Sequence, residues 1–176
     1  MAGSRNLNGM RAGISLGSNI EPRLLVLREA YQAISRLHRG PEPLLCSKVY
    51  ETSPVDCPPD SPHFLNAALE FSTDLQPQQL FTELKTIETD LGRTPGAPRN
   101  SSRTIDIDLL YLDDYTVAAA DLIVPHPRIS SRRFVLQPLA DIRPTLVLPN
   151  LGKTVRQLLA ELGSNDSVIE QQYVIN

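Results

Sequence analysis

The sequence predicts an α+β fold, a three-layer α/β/α sandwich around a mainly antiparallel sheet, and three observations lead there. The first elements follow the order β-α-β-β-α-β, the split βαβ arrangement, which places both helices on one face of an antiparallel sheet. Short helical patterns near the end of the chain can cover part of the other face. The chain has 176 residues, 41% hydrophobic and 21% charged, which suits one continuous core and a single domain over residues 1–176.

Each element has its own warrant. "AGISLGSN" reads as a strand ending in Gly17-Ser18-Asn19. A helix from about Pro22 to Leu37 follows, with Leu24, Leu27, Tyr31 and Ile34 on one face and Ser18 or Asn19 as its cap. "LLCSKVYETS" reads as a second strand, closed by the proline-rich loop "SPVDCPPDSPHF". "FLNAALEFST" alternates as a third strand, and the next helix opens near Pro77 with Leu80, Leu84, Ile87 and Leu91 inward. A loop carrying Arg93, Arg99 and Arg103 leads into a fourth strand, "RTIDIDLLYL". Beyond it come a hairpin around "LDDYTV", a short strand "LIVP" and a helix near Ser131 to Leu139. "TLVLP", a helix "TVRQLLAEL" and a final strand near "VIEQQYVI" end the chain.

Composition narrows the class of function. Residues 1–10 form a short polar lead-in without the apolar stretch of a signal peptide, and no apolar run approaches membrane-spanning length. Cys46 and Cys57 make no disulfide framework, so both are expected as reduced thiols in a cytoplasmic protein. A net charge of -3 argues against a nucleic-acid coat but leaves room for arginines gathered around a small phosphorylated ligand. The expectation is a small soluble enzyme or binding domain, a monomer or weak dimer, with small-molecule partners.

The fourth strand carries the chemical signal. With period 2, Ile105, Ile107, Leu109 and Tyr111 point one way, while Thr104, Asp106, Asp108 and Leu110 point the other. Carboxylates two apart on a strand lie about 6–7 Å from one another. At an effective dielectric near 20 their repulsion is about 2–3 kcal/mol. A divalent cation removes that penalty, and hard oxygen ligands with room for phosphate favour Mg²⁺. The plain alternative is an exposed polar strand edge, and "DID" alone favours it.

The flanks shift that balance. Arg93, Arg99 and Arg103 precede the strand, and "VPHPRISSRRF" adds His126, Arg128, Arg132 and Arg133 as a second set of phosphate donors. Acids that hold metal beside arginines that clamp phosphate make a phosphoryl-transfer constellation. Salt bridges between those arginines and the aspartates are the simpler account. No Walker-type or kinase-type Gly-rich loop is present. Asn66, an amide in an apolar strand beside Phe64, is either a satisfied core hydrogen-bonder or the reader of a flat heterocycle.

"SLGSN", "YETSP", "FLNAA", "LGR", "RTIDIDLL" and "VPHPR", in that order, resemble the 6-hydroxymethyl-7,8-dihydropterin pyrophosphokinases of folate biosynthesis, from about Gly13 to the last strand. The resemblance implies a ferredoxin-like α/β/α sandwich and transfer of the β,γ-pyrophosphoryl group of ATP to the pterin hydroxymethyl oxygen, releasing AMP. It implies two Mg²⁺ ions on Asp106 and Asp108, with Arg93 and Arg103 stabilising the transferring charge. His126 and Arg132 would hold ATP phosphates, and Lys85 and Glu88 would contact the nucleotide. The pterin would lie between Phe64 and Phe134, its edge read by Asn66 and the backbone of Thr52, Ser53, Pro54 and Val55. Asp106 is the nearest candidate for a general base.

The chain also departs from that pattern. Many members carry a tryptophan and Gly-Pro before the motif arginine, where this chain has Asn100-Ser101-Ser102. The family's next basic position after Arg93 is lost, since Pro95 stands there, and the loop gains Gly96 and Pro98. Retained chemistry is therefore expected with either different lid packing over bound pterin or weaker substrate capture, and Arg99 is a candidate to compensate by stacking. Two rival classes are a non-catalytic RNA-binding or ligand-sensing module, which wants exposed aromatics on a basic sheet, and a nucleotidyl transferase using the same metal pair.

Overall fold

In the computed structural model, residues 9–94, 96, 98, 101–163 and 167–176 are described. The sheet is built from β1 (Met10–Ser18), β2 (Leu45–Cys46), β3 (Val49–Thr52), β4 (Phe64–Thr73), β5 (Asp106–Leu112) and β8 (Val168–Gln171). Its order is β5-β1-β4-β3-β8, with β2 also on β4, and every strand pair among the described residues is antiparallel. The result is a mixed α/β fold with a mainly antiparallel sheet, as expected. β6 (Val117–Ala118) and β7 (Ile123–Val124) pair apart from it.

Two apolar clusters lie on the sheet. The first joins Ile14 and Leu16 of β1 to Leu27 and Ile34 of α1 (Arg23–Ser35) and to Leu80 and Leu84 of α2 (Pro77–Asp90). The second gathers Ala68 and Leu110 with Leu136 and Leu139 of α3 (Arg133–Ile142) and Leu158 of α4 (Val155–Glu161). Ala67 belongs to the first and Ala68 to the second, the side-chain alternation of a strand buried on both faces. β4 is accordingly buried along its whole length.

Several local expectations differ from the structure. The second strand is two pieces, because register with β4 shifts between Cys46↔Leu69 and Tyr50↔Asn66, and Ser47 bonds Ala68 across the irregularity. Neither Ser18 nor Asn19 caps α1; Pro22 is its N-cap, and the Glu21 carboxylate takes the Arg23 N–H. Asp113 and Asp114 make a turn after β5, but the hairpin forms between β6 and β7 instead. "TLVLP" contributes only a bridge between Val147 and Thr154. Tyr173 to Ile175 leave the last strand, and Ile175, 3% exposed, packs into the first cluster.

Candidate phosphoryl-transfer site

Antiparallel pairing sets the geometry of the site. Gly17 of β1 pairs with both Asp106 and Asn66, and Ser15 pairs with Asp108. Asp106, Asp108 and Asn66 thus share one sheet face, floored by the small Ser15 and Gly17. The small floor gives close clearance: a Cβ on Gly17 would stand 3.1 Å from Asn66 Oδ1, which would have to shift by a few tenths of an ångström. Over it opens a cleft of about 670 Å³, walled by the ends of β3 and β4, by α2, and by the segments around residues 101–104 and 126–134.

That cleft gathers Arg93, Arg103, Asp106, Asp108, Lys85, Glu88, His126, Arg132, Thr52, Ser53, Val55, Phe64, Asn66 and Phe134. Pro54 does not line it, although its neighbours on both sides do. Pro95, Arg99 and Asn100, on which the expected lid packing and compensating stack depend, lie outside the described residues.

Each aspartate is paired with cations. Arg93 Nη1 is 2.5 Å from Asp106 Oδ1, and Arg103 Nη1 is 3.2 Å from Asp106 Oδ2. Arg132 Nη1 is 3.5 Å and His126 Nε2 3.9 Å from Asp108 Oδ2. The simpler expectation, salt bridges between arginines and aspartates, therefore describes the free site. Charge still converges: Arg128 also lines the cleft, with no carboxylate in ion-pair range among the described residues. Burial lowers the Arg132 pKa, and the Arg128 charge lowers it further. Burial works against charge on Arg93 too, but Asp106 and Glu88 outweigh it and hold that guanidinium above its usual value.

His126 is lowered by burial, against the pull of Asp108. Its Nδ1 accepts the Arg128 N–H at 3.2 Å, so the neutral ring carries its proton on Nε2, facing the carboxylates. Its Nε2–H is therefore a hydrogen-bond donor on the side of Asp108. Burial pushes the Glu88 carboxyl upward against Lys85, the Ile107 N–H and Arg93, all of which contact it.

The aromatic wall carries arginines. The Arg103 guanidinium sits 5.7 Å from the Phe64 ring centre and that of Arg132 5.4 Å from Phe134, so each ring expected to hold a heterocycle has a cation on it. Asn66 donates from Nδ2 to Thr52 Oγ1 at 2.7 Å, which satisfies half of its amide within the core. Its Oδ1 remains beside Gly17 on the cleft floor.

Asn19 matters in a way the cap reading missed. Its Oδ1 accepts the Arg103 N–H at 2.8 Å, its Nδ2 donates to Ser102 Oγ and Pro62 O, and its N–H donates to Arg103 O. It ties the proline-rich loop to the arginine segment across the mouth of β1. A polar residue ending an apolar strand was the visible signal; its partners, 83 and 84 positions away, were not. Among the described residues, Arg103 Nε and Thr104 Oγ1 are buried with no hydrogen-bond partner, and both residues line the cleft.

The donor set fits a hard cation shared with substrate. Among the described residues no three His, Cys, Asp or Glu side chains converge on one point. Two carboxylates alone suit Mg²⁺, which keeps waters and takes phosphate oxygens for its remaining positions.

Comparisons with known proteins agree with this chemistry. A family model described as 7,8-dihydro-6-hydroxymethylpterin-pyrophosphokinase matches residues 13–144. The chain is 43% identical over 131 residues to the 2-amino-4-hydroxy-6-hydroxymethyldihydropteridine pyrophosphokinase of Bacillus subtilis, covering 74% of this chain and 77% of that one. It is 36% identical over 153 residues to the folic acid synthesis protein fol1 of Pneumocystis carinii, covering 87% of this chain. It spans only 20% of the length of that relative. Among solved structures, the Plasmodium falciparum HPPK-DHPS with pterin and p-hydroxybenzoate superposes with a TM-score of 0.67 at 16% identity, over 90% of this chain and 42% of the other.

Proposed function

Because the chain belongs to the 7,8-dihydro-6-hydroxymethylpterin-pyrophosphokinase family, we propose that it moves the β,γ-pyrophosphoryl group of ATP to the hydroxymethyl oxygen of 6-hydroxymethyl-7,8-dihydropterin, releasing AMP in folate biosynthesis. One observation carries the reading: two carboxylates, Asp106 and Asp108, face a cleft where Arg93, Arg103, Arg128, Arg132 and His126 converge. ATP brings further negative charge to a cleft where four arginines meet two aspartates.

Asp106 and Asp108 are the residues that would hold two Mg²⁺ ions. Bound there, Mg²⁺ supplies charge neutralisation between the aspartates and the triphosphate. Arg93 and Arg103 hold the transferring group, exchanging Asp106 for phosphate oxygens as the nucleotide enters. The His126 Nε2–H and Arg132 grip the remaining phosphates. Phe64 and Phe134 flank the pterin, with Thr52, Ser53, Val55 and the free Oδ1 of Asn66 at its edge. The hydroxymethyl oxygen is a weak nucleophile, so alignment and electrostatics do most of the catalysis.

Sheet order and the two apolar clusters support reading the fold as a ferredoxin-like three-layer sandwich, acting as one pyrophosphokinase domain. No helix among the described residues is long and apolar enough to cross a membrane. The setting we propose is a cytoplasmic enzyme working on small molecules as a monomer or weak dimer.

The test incubates the protein with Mg²⁺, ATP and the hydroxymethyl dihydropterin and identifies the nucleotide product. AMP with a pyrophosphorylated pterin is expected, and ADP with a monophosphorylated pterin would overturn the proposal. Asp106→Asn and Asp108→Asn should each lower kcat by about 10³-fold or more, the scale of losing an electrostatic transition-state contact. Their circular dichroism should match the parent protein.

A further inference from the structure

Ile107 sits between the two aspartates on β5, the outer strand of the sheet. An outer strand leaves every second residue with its N–H and C=O pointing away from the sheet. At Ile107 both groups are taken by side chains of α2. Glu88 Oε1 accepts the Ile107 N–H at 2.6 Å, and Lys85 Nζ donates to the Ile107 carbonyl at 3.1 Å. Lys85 and Glu88 are themselves paired, Nζ to Oε2 at 2.9 Å, one helical turn apart. Together they imitate the missing neighbouring strand, one acceptor and one donor, at the residue that separates the metal-binding carboxylates.

Glu88 reaches further. Its Oε1 also receives Arg93 Nη1 at 2.5 Å, the same nitrogen that contacts Asp106. Both carboxylate oxygens are thus engaged, and the residue is 2% exposed. A carboxylate so engaged offers little surface to a nucleotide, although Glu88 borders the cleft.

We propose that Glu88, with Lys85, is a positioning residue of the pyrophosphoryl-transfer site: it clamps the β5 backbone between Asp106 and Asp108 and holds the Arg93 guanidinium over Asp106. The role differs from the nucleotide contact expected of both residues, and it rests on the transfer reading above.

The test has an arm independent of activity. Amide hydrogen exchange is followed at Ile107 by NMR in the parent protein and in Glu88→Ala, Glu88→Gln and Lys85→Met. Loss of a hydrogen bond to a charged group should speed Ile107 exchange in Glu88→Ala by about tenfold to a hundredfold, with the Leu16 and Leu84 amides unchanged. Glu88→Gln, which keeps an acceptor oxygen, should restore most of the protection. Unchanged Ile107 exchange in Glu88→Ala would overturn the proposal. In the kinetic arm, Glu88→Gln should lower kcat by about tenfold or more through a loosened Arg93 while the ATP dissociation constant stays within about threefold. A tenfold weaker ATP affinity at unchanged kcat would also overturn it, since that split belongs to a direct nucleotide contact. A parent protein that releases no AMP refutes the transfer reading and leaves the exchange arm to decide the clamp.

Discussion

Arg128 lies two residues beyond His126 on the same wall and lends that histidine its backbone N–H, but its own guanidinium reaches no carboxylate among the described residues. The cations around it are already engaged: Arg93 and Arg103 on Asp106, Arg132 on Asp108. In the proposed phosphate cleft, a cation with no carboxylate in range among the described residues meets substrate without first breaking an ion pair. Arg128→Ala should therefore raise the KM for ATP by about tenfold, the scale of one charge-assisted hydrogen bond, with kcat within about threefold. Steady-state kinetics with ATP varied at saturating pterin checks this, and an unchanged KM removes Arg128 from the nucleotide site. Residues of this kind differ in legibility. Asp106 and Asp108 stood out because charge in an apolar strand costs energy and so demands a partner. Asn19 did not, because a polar residue before a helix has a cheaper local explanation as a cap.

Strand β5 shows where periodicity fails. Period 2 places Tyr111 with Ile107 and Leu109, yet the structure puts Tyr111 beside Leu110 in the second cluster. The cause is an irregularity in pairing with β1, where register shifts between Gly13 and Ile14 and the alternation slips by one. Cross-strand register is not encoded in the ten residues that read so clearly as a strand. Gly13 is the enabling residue, since a Cβ there would lie 2.1 Å from the Tyr111 ring. Gly13→Ala should displace that ring and destabilise the protein by about 1–3 kcal/mol. The melting temperature should then fall by roughly 3–10 °C for a chain of this size. Gly13 lies outside the cleft lining, so kcat below the transition should hold within about twofold. Differential scanning calorimetry beside activity separates the two effects, and an unshifted transition would mean that Tyr111 repacks without cost.

At the scale of the whole molecule, local pattern yielded the element order, and with it a mainly antiparallel sheet bringing the two aspartates to the arginines. Links across the second face were beyond it. Glu70, in the middle of β4 and 3% exposed, accepts the Tyr111 hydroxyl at 2.5 Å and is held by the Arg143 guanidinium, 73 positions away at the end of α3. Burial beside Glu70 pushes the Tyr111 hydroxyl far above its ordinary range, so it stays a donor. The triad joins β4, β5 and α3, and its cost structure is asymmetric. Removing Arg143 alone leaves a buried carboxylate without its cation, a loss of about 3–5 kcal/mol for a fully buried pair. The Arg143 side chain is 35% exposed, so solvent replaces part of the pairing and about 2–3 kcal/mol is the expected cost of Arg143→Met. Adding Glu70→Gln removes the stranded charge but keeps an acceptor for Tyr111, and should recover at least half of that loss. Urea unfolding midpoints of the two single variants and the double variant close the cycle. Additive losses would mean that the pair is not coupled, and that apolar packing with the Asp141–Tyr50 hydrogen bonds holds α3 to the sheet.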